Sequence, residues 1–193
     1  MNNPESSLNI KWEGPFSLFE NQDCESIFSS DKLKSPGLYL WTIPYNDSYL
    51  VNYVGISATS ILDRLETHIV HYLSGRYTIY DPEKFQNGIK ERIYCPSGRV
   101  RDFLNNNLPL SQIIFPLLKT FKLLIAPVEQ EKRILERIES SIIKILRKDN
   151  VACGFLDNQR IIASLWREEK EISVTVEYNA LKTFGFTETK ITV

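Results

Sequence analysis

Residues 37–57, "GLYLWTIPYNDSYLVNYVGIS", constrain this chain more than any other stretch. Two runs rich in aromatic and branched residues, "GLYLWTI" and "YLVNYVGI", flank the turn-forming "PYNDS", which predicts an antiparallel hairpin with a five-residue turn. Side chains alternate along a strand, so Tyr39 and Trp41 share one face of the first strand, and Val51, Tyr53 and Gly55 share one face of the second. Gly37 and Gly55 mark either a bend or a close approach, because a strand interior gains nothing from glycine otherwise. The tyrosines are either cross-strand packing residues or members of a shared site.

The rest of the chain supplies partners for this hairpin. "SATSILDRLETHIVHYLSG" predicts a helix, capped by Ser57 or Thr59, ended by Gly75, and striped by Ile61, Leu62, Leu65, Ile69 and Leu73. Arg64, His68 and His71 stand at i, i+4 and i+7 and share one face, away from much of that stripe. They form either a solvated polar face or part of a working site; as a metal pair, the two histidines lack a third ligand. Residues 74–116 mix turn signals with basic and aromatic residues and read as an insertion carrying one or two short helices, one near "GRVRDFLNNN". "LLKTFKLLIA" reads as a third strand.

"PVEQEKRILERIESSIIKILRKDN" predicts a second helix, with Pro127 in its first turn and an inward stripe of Ile134, Leu135, Ile138, Ile142, Ile145 and Leu146. "LNIKWEGPFSLF" reads as a short extended lead-in, and "EISVTVEY" with "FTETKITV" as a terminal hairpin. The expected organisation is an N-terminal extension over 1–32, a core domain over 33–160 and a C-terminal extension over 161–193.

The ordered elements resemble the signature of the GIY-YIG endonuclease family: "GLY", thirteen residues, "YVG", then Arg64 nine positions after Gly55 and His68 four later, and Glu139 followed by Ile142 and Ile143. Leu38 and Val54 stand where the family has isoleucines, and both remain apolar. The resemblance implies an α+β fold, with a small, mainly antiparallel three-stranded sheet flanked by helices and strand extensions at both ends. It also implies hydrolysis of DNA phosphodiester bonds with one divalent cation, Mg²⁺ or Mn²⁺ in its place, held by Glu139 alone. A hard cation keeps several waters and needs few protein ligands. Arg64 would bind the phosphate by its planar fork. Tyr39 would serve as the base, with Tyr53 and His68 orienting water or relaying a proton. Asn158 in "GFLDNQR" is the expected bracing asparagine, and Asn150 the end of the second helix. His71, Arg76, Lys90, Arg92, Arg99 and Arg101 are candidate DNA contacts, with structural elaboration as the other reading of the insertion.

Composition narrows the remaining choices. The net charge is −1, yet residues 31–160 carry 18 Lys+Arg against 14 Asp+Glu, a mildly basic middle compatible with a phosphate-binding face. Cys24, Cys95 and Cys153 are widely spaced, which argues for reduced thiols in a cytoplasm and against a structural zinc. The N-terminus lacks the pattern of a signal peptide, and no apolar run is long enough to span a membrane. The expected role is a stand-alone, restriction-like or defence-associated nuclease, which would cut both strands as a dimer or by two sequential nicks. A binding module that does not cut, and a nuclease acting on RNA, are the alternatives.

Overall fold

The computed structural model describes residues 7–20, 24–96, 100–105, 107–159, 161, 169–178 and 183–193. In chain order the elements are β1 (Ser7–Ser17), β2 (Gly37–Tyr45), β3 (Ser48–Ser57), α1 (Ile61–Leu73), β4 (Ile79–Tyr80), α2 (Pro82–Phe85), β5 (Arg92–Tyr94), α3 (Val100–Asn105), α4 (Asn107–Thr120), β6 (Lys122–Pro127), α5 (Lys132–Leu146), α6 (Asn150–Phe155), β7 (Ser173–Tyr178) and β8 (Lys190–Thr192). Among the described residues, no helix is long and apolar enough to cross a membrane.

β2 and β3 form the hairpin, paired from Gly37↔Ser57 to Tyr45↔Ser48 with a register shift between Trp41 and Thr42. The turn is tighter than five residues: only Asn46 and Asp47 lie outside the ladder, and Asn46 takes the left-handed conformation (φ 51°) that asparagine tolerates. β2 is buried continuously from Gly37 to Ile43 because strands flank it on both sides and helices pack on it. That is why it reads as an unbroken apolar run rather than an alternation.

The expected three-stranded sheet is overturned. The sheet has six strands in the order β3-β2-β6-β1-β7-β8, and it is mixed, since β1 runs antiparallel to β6 but parallel to β7. β1 is therefore no lead-in. Its Ile10 and Trp12 are buried, and it links the hairpin side of the sheet to the β7–β8 pair, where Val174 and Ile191 face each other in register. The alternation in β1 is local, but its partners lie more than a hundred positions away, and no periodicity reports such pairing.

The helices follow their stripes more closely. Ser60 caps α1 by accepting from the Asp63 N–H at 3.3 Å, one position beyond the expected cap. α5 buries Leu135, Ile138, Ile142, Ile143 and Leu146 and packs on β2 and β3, while Pro127 closes β6 instead of opening the helix. Asn150 opens α6 behind the Asp149 cap. Within the insertion, α4 is a full helix whose Leu110, Ile114, Leu117 and Leu118 are buried. Pro116 lies inside it and breaks the helical reading of the sequence.

Candidate active site

The two glycines of the hairpin are explained by close approach. A Cβ on Gly55 would lie 2.2 Å from Tyr39 Cζ, so the tyrosine ring lies across the strand where its cross-strand partner has no side chain. A Cβ on Gly37 would lie 2.3 Å from the Ala126 carbonyl oxygen of β6. Gly55→Ala is expected to push the Tyr39 ring out of place and cost about 3 kcal/mol, the upper range for an overpacked core. Thermal unfolding of the variant checks this, and an unchanged melting temperature would refute the crowding.

Tyr39, fully buried, hydrogen-bonds His68 Nε2 through its hydroxyl at 3.0 Å. His68 comes from α1 and is only 5% exposed, on the same face as Ile61, Leu65 and Tyr72. The polar face expected for Arg64, His68 and His71 is thus split: Arg64 is exposed, His71 is half-buried, and His68 belongs to the core side. Its imidazole meets the rings of Tyr53 (4.8 Å, edge-on), Trp41 (5.6 Å) and Tyr39 (5.8 Å, edge-on). Tyr53 stacks on Tyr39 at 6.2 Å.

Electrostatics tie in the remaining two residues. Burial pushes the Tyr39 phenol far above its ordinary range, with Tyr53 adding to the effect and Arg64 opposing it by charge and hydrogen bonding. Tyr53 is raised by burial and by the Glu139 carboxylate, against hydrogen bonds with Tyr39 and Arg64. Burial opposes the charge on Arg64, but Tyr39, Tyr53 and Tyr77 together hold its guanidinium more firmly protonated than usual. Burial, reinforced by Glu136 and opposed by Arg64, raises Glu139 to about 7. Tyr39, Tyr53, Arg64 and Glu139, drawn from four separate elements, therefore lie within reach of one another's charge.

The shifts of His68 and Glu139 oppose each other in stability. Burial, with Arg64 and His71 as charged neighbours, lowers His68 to about 4 from 6.5, so between those values the unfolded chain binds a proton that the folded chain refuses, and stability rises with pH. Glu139 holds its proton up to about 7 when folded but only to 4.5 when unfolded, so across that window stability falls with pH. In EDTA, relative to wild type, His68→Gln is expected to tilt the stability profile downward with pH and Glu139→Gln to tilt it upward. Denaturant unfolding between pH 4.5 and 6.5 checks this, and parallel profiles for all three proteins would refute it.

A half-buried carboxylate within charge range of Tyr39 and Tyr53 suits a hard cation that brings its own waters. It does not suit zinc, which needs three or four protein ligands. Among the described residues, no group of three or more His, Cys, Asp or Glu is placed to hold a metal.

The other candidate residues separate by role. Asn158 is exposed, and its neighbours do the bracing: the Asp157 N–H donates to the Asn52 carbonyl at 2.7 Å, and Gln159 accepts from the Val54 N–H at 2.9 Å and donates to the Val54 carbonyl. Gln159 thus pairs with the outer edge of β3 as a strand would. Lys90 is not free for DNA, because its ammonium pairs with Asp157 at 2.6 Å and lies over the rings of Phe155 and Tyr80. Arg76, Arg92 and Arg101 are exposed, and Arg99 lies outside the described residues. His71 packs edge-on to Tyr77 at 5.0 Å, with a buried Nδ1 that has no hydrogen-bond partner among the described residues.

Sequence reasoning missed Tyr77, whose hydroxyl reaches His68 Nδ1 at 2.9 Å. It lies beyond the end of α1, where the helical spacing that groups Arg64 with His68 no longer applies. Cys24, Cys95 and Cys153 are free thiols. No family model, curated protein or solved structure matches the chain, so the case for a function rests on this geometry and on the ordered motif.

Proposed function

We propose that this chain is a metal-dependent endonuclease of the GIY-YIG type that hydrolyses DNA phosphodiester bonds, acting in the cytoplasm as a restriction-like or defence nuclease. The observation that carries the proposal is the Tyr39–His68 hydrogen bond, with Tyr53, Arg64 and Glu139 within charge range of it.

Each residue has a task that its surroundings suit. Arg64, an exposed residue held protonated beside Tyr39 and Tyr53, would grip the non-bridging oxygens of the scissile phosphate with two parallel donors. Glu139 would hold the divalent cation, which when bound polarises the phosphate and stabilises the leaving oxygen. Tyr39 is completely buried and Tyr53 only partly, so the hydroxyl that faces attacking water is assigned to Tyr53. Tyr39 and His68 lie behind it as the route by which a proton leaves.

The test is nicking of supercoiled plasmid in Mg²⁺ or Mn²⁺, with EDTA as control and a matched RNA substrate alongside. Metal-dependent nicking of DNA is the expected result. Cleavage of the RNA alone would assign the site to a substrate bearing 2′-hydroxyls. Binding without cleavage would make the chain a non-cutting module, and neither binding nor cleavage would overturn the nucleic-acid reading.

A further inference from the structure

We infer that Tyr77 is a positioning residue that completes a directed proton relay, Tyr39–His68–Tyr77, carrying the proton from the buried tyrosine to a small cavity at Asp157. The inference rests on the nuclease reading for its purpose, but its geometry stands apart from it.

Both ring nitrogens of His68 are engaged, Nε2 by Tyr39 at 3.0 Å and Nδ1 by Tyr77 at 2.9 Å. A neutral imidazole has one donor and one acceptor, so one tyrosine donates to it and the other accepts from it. Burial, with the Arg64 charge nearby, holds His68 neutral near pH 7. Burial likewise makes a lone tyrosinate at Tyr39 costly. If His68 were the end of the line, taking the Tyr39 proton would leave an imidazolium in an apolar setting. Tyr77 removes that cost, because His68 can gain a proton at Nε2 while it loses one at Nδ1.

The steps balance. The attacking water gives a proton to the Tyr53 oxygen, the Tyr53 O–H proton passes to the Tyr39 oxygen through the hydrogen bond between the two, and the Tyr39 O–H proton passes to His68 Nε2. The Nδ1 proton passes to the Tyr77 oxygen, and the Tyr77 O–H proton leaves to solvent. No group ends with a net charge, and the starting tautomer must carry its hydrogen on Nδ1. His68 and Tyr77, the last two members of the relay, both border a cavity of about 80 Å³ whose wall also includes Trp41 and Asp157. Asn52 and Asp157 supply the polar part of its lining among the aromatic rings, and Asp157 is paired with Lys90 at 2.6 Å. Tyr77 itself is half-buried, with burial and then Tyr53 pushing its phenol up to about 12, so it passes protons as a neutral hydroxyl.

Two measurements test the relay, one of them independent of catalysis. The chain has only two histidines, so ¹⁵N-histidine NMR resolves His68 directly. The wild type is expected to show the Nδ1–H tautomer, and Tyr77→Phe, which keeps the ring but removes the acceptor, a mixture of tautomers. A wild-type Nε2–H tautomer would overturn the relay whether or not the chain cuts DNA. In the nicking assay, Tyr77→Phe is expected to lower kcat about 100-fold with KM unchanged, on the scale of general acid–base catalysis. Its proton inventory in mixed H₂O and D₂O should change from curved to linear. Full kcat with an unchanged inventory would also overturn it, whereas wild-type protein that fails to nick while showing the expected tautomer would sink the nuclease reading and leave the relay standing.

Discussion

Glu139→Ala is expected to abolish metal-dependent nicking, lowering the rate by about a thousandfold, the scale of losing a preorganised charge at the reacting phosphate. DNA affinity should change little, because in the proposed role the carboxylate would hold the cation and not the duplex. A second readout separates metal loss from misfolding. In the wild type the burial that raises Glu139 to about 7 disfavours its charged form, so the metal-free variant should melt no lower than wild type at pH 8. Mg²⁺ should raise the wild-type melting temperature more at pH 8 than at pH 6, where proton and cation compete for the same oxygen, and should leave the variant unmoved. Nicking at the wild-type rate by Glu139→Ala would end its assignment as the metal ligand.

Arg64→Ala is expected to cost about 100-fold or more in kcat, with a smaller effect on DNA binding, since a guanidinium gripping the phosphate serves the transition state more than the ground state. Arg64→Lys should recover only part of the loss. Lysine restores the charge beside Tyr39 and Tyr53 but not the fork that would take two phosphate oxygens at once. Full recovery by lysine would reduce Arg64 to a point charge. Single-turnover kinetics at saturating DNA, beside a binding isotherm for each variant, distinguishes these outcomes.

The residues that the sequence grouped come together where local geometry governs them. Tyr39 faces Gly55 because an antiparallel ladder with a short turn leaves little freedom of register, and the glycine marks where the ring lies. Arg64 and His68 are a turn apart on α1, so their proximity is built into the helix. Helical spacing put both on a face away from much of the apolar stripe, and the structure overturns that for His68, which turns inward. His68 is buried because Trp41, Tyr53 and Tyr77 surround it, and two of those three lie on strands. Lys90 and Asn158 show the same limit: residue type suggested a phosphate contact and a brace, but an ion pair with Asp157 claims the lysine, and Gln159 does the bracing.

What the sequence by itself determined was local: the hairpin, the helix carrying Arg64 and His68, and the α5 stripe that points Ile138 and Ile142 inward and leaves Glu139 at the edge of the buried face. These follow from strand and helix periods, which act over a few residues. Only the tertiary structure decided that the sheet has six mixed strands, that β1 pairs with both β6 and β7, and that Tyr77 closes on His68. Those outcomes depend on contacts between segments far apart in the chain, and what selects them is the burial of shared apolar surface, which a one-dimensional pattern records as hydrophobicity without naming the partner.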